Sequence, residues 1–425
     1  MITTYKPRIA DRLLQRKLAG KGAVLIEGAK WCGKTTTAEQ IAKSVLYMSE
    51  TGMAAQNIKM ASLNPKLLLQ GDHPRLIDEW QIAPQLWDSI RFESDHSSTL
   101  GLYVLTGSSV PADMSQVIHS GTGRIGWLRM RPMSLWESQE SSGEVSLSDL
   151  FNSPKQISGI NRHDIRDIAF LTCRGGWPLA VDMEKDIALD QAFDYVDAIE
   201  KRDISRAGGV EHDSVRVHRL LRSLSRNQGA QASYGTIRAD LLANESDGIS
   251  ESTIASYMKT LKEIFVIEDS EAWNPNLRSK TAIRTSDTRY FTDPSIATAA
   301  LGIGPNDLIN DLNTFGLMFE TLCVRDLRTY AEALYGNVYH YRDKNGLECD
   351  AVVHLRNGSY GLIEIKLGGD DLIKEGVESL TKLSSKIDTT RMKAPSFLMV
   401  LIGVGTYAYR REDGIYVVPV GCLKD

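Results

Sequence analysis

Gly28-Ala29-Lys30-Trp31-Cys32-Gly33-Lys34-Thr35 fits the pattern G-x-x-x-x-G-K-[ST], and its surroundings constrain the fold more than any other stretch of the chain. Before it, Gly22 to Ile26 is a short apolar run. After it, Thr35 to Val45 places Ala38, Ile41, Ala42 and Val45 on one helical face. Strand, glycine-bracketed loop and helix in that order open a parallel α/β sheet. The glycines let main-chain N–H groups curl around phosphate oxygens, and the helix N-terminus adds its positive end. Lys34 is placed to bridge β- and γ-phosphates, and the Thr35 hydroxyl to join a Mg2+ shell. Gly28, Ala29, Lys30, Trp31, Cys32, Gly33, Lys34, Thr35 and Thr36 are therefore the candidate ATP-binding residues. Cys32 has a small side chain that either fills space or senses redox state.

A second apolar stretch, Leu76-Ile77, ends in Asp78-Glu79, 44 residues beyond Lys34. Alone, an Asp-Glu pair reads as readily as an exposed acidic turn. At the end of a strand in the same α/β pattern, Asp78 can hold Mg2+ through water, and Glu79 can orient or deprotonate an attacking water. The third strand, Leu102 to Leu105, is followed by Thr106-Gly107-Ser108-Ser109, where Thr106 or Ser108 is positioned to sense a γ-phosphate, unless these residues only turn the chain. Residues 1–140 form one α/β domain in this reading.

Residues 137–160 are rich in Ser, Glu, Asp and Gly with few periodic apolar positions, which predicts a loop or linker, and from there to about residue 230 the pattern is helical. From Val217 to Leu224, the apolar Val217, Leu220, Leu221 and Leu224 share one arc, with Arg219, Arg222 and Arg226 opposite. Ser250 can cap a helix carrying Ile254, Tyr257, Met258, Leu261, Ile264 and Phe265 at the 3.6 period. A strand pattern at Phe265-Val266-Ile267 follows, then Arg278, Lys280, Arg284 and Arg289 between Trp273 and Phe291. Helices followed by a short basic hairpin predict a winged helix, with the 250–264 helix in or near a major groove and Arg278, Lys280 and Arg284 on the wing. The helix also carries Glu251 and Glu263, so a packing or partner-docking module is the other reading. The chain thus divides into 1–140, a helical lid or linker at 141–213, a winged helix at 214–290 and a C-terminal α/β domain at 291–425.

In the last part, a helix around Phe315 to Leu334 precedes short strands joined at Asn345-Gly346 and Asn357-Gly358, strong hairpin signals. A helical stretch near Asp371 to Leu383 and a strand from Ser396 to Ile402 complete an α-β-β-β-α-β order. Glu364 and Lys366, two apart on a strand, face one side, and a hairpin neighbour can bring Asp350 alongside. Carboxylates at Asp350 and Glu364 suit a hard cation, Lys366 suits positioning a water, and Glu320 on the preceding helix can complete the shell. An ordinary Glu-Lys pair on a sheet edge is the plainer alternative.

Taken together, GAKWCGKTT, LIDEWQIAPQLWDSIRFESD, YVLTGSS, GRIGWLRMRPMSLWE and Gly175-Gly176-Trp177-Pro178 resemble a large prokaryotic family. Its members join an AAA-type P-loop ATPase domain to a C-terminal domain formerly of unknown function. Many members begin the phosphate loop with a Gly-Pro-Arg-Gln-like run where this chain has Gly28-Ala29-Lys30-Trp31-Cys32. The resemblance draws attention to Arg124, whose guanidinium either reaches a γ-phosphate, in its own chain or a neighbour's, or caps a strand. The D-x(13)-E-x-K spacing of Asp350, Glu364 and Lys366 resembles the PD-(D/E)xK nuclease superfamily, which implies that these three are active-site residues and Glu320 the helix-borne acid.

Composition limits the partners. In the 425 residues, 49 Lys and Arg stand against 54 Asp and Glu, a net charge of -5, so any basic surface is local. No stretch approaches the ~18 consecutive apolar residues of a membrane span. The N-terminus, with Lys6, Arg8, Asp11, Arg12 and Arg16, lacks a secretion signal's apolar core. Five cysteines without a C-x-x-C pair argue against a disulfide framework or zinc cluster. A cytoplasmic protein without a membrane partner is expected. The leading expectation is an ATP-dependent switch that controls a winged helix and a nuclease-like domain directed at nucleic acid, DNA before RNA. The alternative is a signalling or defence-type ATPase whose C-terminal domain binds protein or nucleic acid without cutting. Use of Arg124 across subunits predicts a homo-oligomer.

Overall fold

The structure is a computed structural model that describes residues 4–109, 117, 119–152, 156–204, 213–242, 249–274 and 286–425. The chain forms two compact units, the first comprising Met1–Pro132, Lys201–His212 and Lys259–Val266, the second Met133–Glu200, Asp213–Met258 and Ile267–Asp425.

The first unit is built on β1 (Ala23–Glu27), β2 (Ser44–Tyr47), β3 (Arg75–Asp78), β4 (Tyr103–Gly107) and β5 (Ile125–Arg129). All pairings are parallel, in the order β2-β3-β4-β1-β5. β1 and β4 are apolar up to their carboxyl ends because both faces of a parallel sheet are covered, and Val24, Ile26, Val104 and Leu105 are fully buried. One cover is the Ile9–Leu18 helix, which buries Ile9, Ala10, Leu13, Leu14 and Leu18 at helical spacing. The strand order reverses at β1, which opens a crevice at the carboxyl ends of the strands. The helix after the phosphate loop is shorter than the periodicity predicts. It spans Lys34–Glu39, and Val45 lies in β2 opposite Leu76. Three consecutive threonines are weak helix formers, and Ser44–Tyr47 gains a ladder on β3 instead.

The second unit holds the strands β6 (Val145–Ser146), β7 (Gly159–Ile160), β8 (Gly336–Arg342), β9 (Glu348–Leu355), β10 (Tyr360–Gly368), β11 (Phe397–Val404), β12 (Tyr407–Arg410), β13 (Tyr416–Pro419) and β14 (Leu423–Lys424). Seven of them form a sheet in the order β7-β12-β13-β11-β10-β9-β8, and β6 pairs with β14. The Asn-Gly hairpins are present: Gly346 and Gly358, both at φ 81°, turn antiparallel β8–β9 and β9–β10. β10 and β11 are parallel and so require a crossover, which the Asp370–Lys386 helix supplies. Its Ile373, Val377, Leu380 and Leu383 pack into the sheet core with Leu362 and Val400. With the Leu312–Ala333 helix ahead of β8, the expected α-β-β-β-α-β order is in place. The stretch read as a loop or linker at 137–160 instead contains β6, a helix at Leu147–Asn152 and β7. Strands of two residues leave no alternation in a sequence, which is why composition alone did not reveal them.

Helices lie at Ser214–Arg226, Tyr234–Leu242 and Glu251–Glu263, and the first and third bury the apolar positions expected of them. The Ser250 hydroxyl accepts from the Thr253 N–H at 3.1 Å, a helix cap. Ala230 pairs with Arg289, Ile267 with Phe291 and Ser270 with Thr288. Arg278, Lys280 and Arg284 lie outside the described residues.

Gly175-Gly176-Trp177-Pro178 closes over a buried charge cluster. Arg325 donates to Asp293 at 2.8 Å and to Asp326 at 2.9 Å. Asp293 also accepts the Gly176 N–H at 3.0 Å, Asp326 accepts the Leu135 N–H at 2.9 Å, and Trp177 donates to Ser295 at 2.9 Å. A Cβ on Gly176 would lie 2.1 Å from the Met133 carbonyl oxygen, so only glycine allows this approach.

Candidate functional site

The phosphate loop follows the carboxyl end of β1 and wraps onto the helix that starts at Lys34. Gly28 touches the chain after β5 so closely that a Cβ would sit 1.9 Å from the Met130 carbonyl oxygen. Arg8 braces the loop from outside: its buried guanidinium donates to the carbonyls of Cys32 and Arg131, each at 2.8 Å. Tyr5 reaches Thr37 on the loop's helix at 3.0 Å and donates to Asp11 at 2.5 Å. Neither Arg8 nor Tyr5 is visible as a site residue in the sequence, because Cys32, Thr37 and Arg131, which they brace, lie 24 to 123 residues away. Cys32 is buried with its thiol on the Met130 carbonyl oxygen at 3.5 Å, a space-filling placement.

Lys34 is buried and donates to the Ala29 carbonyl at 2.7 Å, inside the turn of its own loop. Asp78, at the end of β3, accepts from Thr35 at 2.7 Å and from Thr106 at 2.6 Å. The structure thereby brings together Lys34, Thr35, Asp78 and Thr106 from three separate sequence stretches. Hydroxyl and carboxylate oxygens meeting beside a phosphate loop are the donor set Mg2+ takes, so Thr35 and Asp78 fit that ion. Glu79 has a left-handed backbone at φ 57°, which for a non-glycine residue costs about 1 kcal/mol or more. Its carboxylate accepts from Ser108 at 3.3 Å and from Gln81. Lys30 pairs with Asp203 at 2.5 Å, Trp31 is half exposed, and the Thr36 carbonyl accepts from Gln40.

Arg124 is elsewhere. It immediately precedes β5, which runs parallel to β1 from the opposite end of the strands, about 20 Å of extended chain from the phosphate loop. Its side chain is exposed and paired with Asp95. The expectation that it reaches the nucleotide of its own chain is corrected by strand direction.

In the second unit, Glu320, Asp350, Glu364 and Lys366 gather around β9 and β10. Lys366 lies 3.2 Å from Glu364 and 3.3 Å from the exposed Glu375. Glu364 is 3% exposed and accepts from Ser379 at 2.9 Å, on the crossover helix. Asp350 accepts the Ile365 N–H at 2.7 Å, and Glu320 accepts from Tyr290 at 2.5 Å. Burial, then the charge of Asp350, pushes Glu364 up to about 8 and Glu320 well above the usual carboxylate range; burial also raises Asp350. For Lys366, burial alone favours the neutral amine, but Asp350 and Glu364 outweigh it and hold the ammonium charged. The charge of Asp350 acts on Glu364 from the neighbouring strand. As arranged, however, each carboxylate is turned to a protein donor. Among the described residues no group of three or more His, Cys, Asp or Glu is poised to hold a metal ion. In this arrangement the Ile365 N–H and the Ser379 hydroxyl occupy oxygens of Asp350 and Glu364 that a cation would share. Tyr290 and Ser379, unmarked in the sequence, belong to this centre.

Residues 20–139 match a family described as AAA domain. They form a P-loop ATPase domain. Downstream of it, residues 165–307 match a domain of unknown function, DUF8612, and residues 315–423 another, DUF4143. No curated protein matches the chain. Among solved structures, a Walker-type ATPase of Pyrococcus abyssi aligns with a TM-score of 0.43 at 14% identity, over 68% of this chain and 94% of that one. No helix among the described residues is long and apolar enough to cross a membrane.

Proposed function

We propose that the protein is a Mg2+-dependent ATP hydrolase that works as a switch. The observation that carries this reading is the convergence of Thr35 and Thr106 on Asp78 next to Lys34. ATP binding exchanges the Ala29 carbonyl for phosphate oxygens on Lys34, while loop N–H groups take the rest of the phosphate chain. Thr35 and Asp78 hold Mg2+, which when bound neutralises charge on the phosphate oxygens. Glu79, at the mouth of the crevice, orients the attacking water once Ser108 and Gln81 release it. Thr106 reports the phosphate state to Asp78. The test is phosphate release in Mg2+ by wild type and Glu79→Gln. Glu79→Gln should retain ATP and lose hydrolysis by about 100-fold or more; unchanged turnover refutes the role of Glu79.

A second reading concerns the other unit: a nucleic-acid-directed module, DNA before RNA, made of a winged helix and a PD-(D/E)xK-like centre. The strand order, the three carboxyls and Lys366 support the centre. The helix order from Ser214 to Glu263, followed by the pairing of 267–270 with 288–291, supports the winged helix. Arg222 and Arg226 are exposed on their helix and available to phosphates. Linear, circular and single-stranded DNA and RNA, incubated in Mg2+ or Mn2+ with and without ATP beside Lys366→Ala, test cutting. Cleavage lost in Lys366→Ala supports a nuclease; absence of cleavage by folded, ATP-binding protein favours the non-cutting signalling or defence-type switch. The exposed Arg124 keeps a homo-oligomer in view, with the neighbour's nucleotide as its target. Sedimentation with a non-hydrolysable ATP analogue tests this, and an unchanged mass refutes it.

A further inference from the structure

We propose that Tyr290 is a latch that withholds Glu320 from the Asp350–Glu364–Lys366 centre, so that the centre is kept from taking a divalent cation until the latch moves. The proposal rests on reading that centre as cation-dependent, and it accounts for a ligand set of the right chemistry in an arrangement that does not converge. Tyr290 is 2% exposed, and its hydroxyl donates to Glu320 Oε1 at 2.5 Å. On the same carboxylate lies Gly229, where an added Cβ would fall 2.8 Å from Oε1. The absence of a side chain there lets the main chain close directly over Glu320.

These two covers are one piece. The Gly229 N–H donates to the Arg289 carbonyl at 3.1 Å, and the Arg289 N–H donates to the Ala230 carbonyl at 3.2 Å. Gln228 Oε1 accepts the Phe291 N–H at 2.9 Å and the Thr321 hydroxyl at 3.3 Å, which pins the pair to the helical turn that carries Glu320. Arg328 lies over the Tyr290 ring at 5.5 Å. Segments 228–230 and 289–291 therefore move together or not at all, and they connect directly to the Ser214–Arg226 and Pro294–Leu301 helices. A partner or substrate that shifts this pair frees the Glu320 carboxylate for a cation shared with Asp350. Hydroxyl and cation compete for one carboxylate.

The test uses full-length, nucleotide-free protein carrying Asp78→Asn, which removes the phosphate-loop cation site, and reads Mn2+ binding by electron paramagnetic resonance. Adding Tyr290→Phe is expected to tighten Mn2+ binding at least tenfold, and adding Asp350→Asn to that variant should abolish the gain. Equal affinity with and without Tyr290→Phe, lost in both on Asp350→Asn, overturns the latch and leaves the cation centre standing. Absence of Asp350-dependent Mn2+ binding in both overturns the centre and the latch with it. Should Tyr290→Phe fail to fold, hydrogen exchange of the Asp78→Asn protein decides. Saturating Mn2+ should speed exchange at 228–230 and 288–291, and unchanged exchange overturns the latch.

Discussion

Replacing Arg325 by Met asks what holds the Gly175-Gly176-Trp177-Pro178 turn in place. Arg325 is 2% exposed and donates to Asp293 and Asp326, which are fully buried. Methionine matches much of its volume but leaves both carboxyls without a countercharge. Removing one partner of a buried pair costs about 3–5 kcal/mol. The cost depends on pH. Asp326 stands at about 6, pushed up from 3.8 by burial against the pull of Arg325. Without the guanidinium it rises further, and an acid raised in the fold costs stability increasingly as pH climbs from its unfolded value towards its folded one. The deficit of Arg325→Met is therefore smallest near pH 4 and largest at pH 8. An apolar replacement of all three residues does not restore stability, because the Gly176 and Leu135 N–H groups lose their acceptors, at about 1–3 kcal/mol each. Calorimetry on the full chain should place the second unit's transition roughly 10 °C lower in Arg325→Met at pH 8. An equal loss at pH 5 and pH 8, or a triple apolar variant as stable as wild type, refutes the reasoning.

Lys34→Ala should weaken ATP binding about 10- to 150-fold, the worth of a charge-assisted hydrogen bond, measured by titration calorimetry; unchanged affinity removes Lys34 from the site. Gly28→Ala should cost about 3 kcal/mol because its Cβ meets a main-chain oxygen at 1.9 Å, and an unshifted melting temperature speaks against that contact. Glu364 rises from 4.5 to about 8, so its ionisation costs stability above pH 4.5 and most fully above pH 8. At 1.36 kcal/mol per unit the ceiling is about 5 kcal/mol, reduced by the lost partner of Lys366. Glu364→Gln should thus gain on wild type between pH 5 and pH 8.5 in urea unfolding; a difference independent of pH contradicts this.

The legible parts of the sequence were those whose geometry is local. Gly28 to Thr35 lie within one loop, and Asn345-Gly346 and Asn357-Gly358 each fix a hairpin by backbone conformation alone. The Leu312–Ala333 and Asp370–Lys386 helices announce themselves by periodicity. Asp78 and Thr106 were legible as strand ends, and the parallel pairing of β3 with β4 then sets them side by side. The illegible parts depend on distance in the chain. Arg325 meets Asp293, 32 residues away, and Tyr290 meets Glu320, 30 residues away. Tyrosine and arginine occur throughout the sequence, and nothing nearby distinguishes these two. Arg124 misled because its neighbourhood to an apolar strand says nothing about which end of the sheet the strand begins from.

The first unit is discontinuous in sequence: β5 completes its sheet at Arg129, yet Lys259–Val266 belongs to it as well. A ribosome adding about 5–20 residues per second delivers that segment roughly 7–26 s after the last strand. The parallel sheet and its phosphate loop are thus translated early, and the last segment of their unit arrives late. Maturation of the ATP-binding unit is tied to synthesis of a stretch embedded in the middle of its neighbour's sequence.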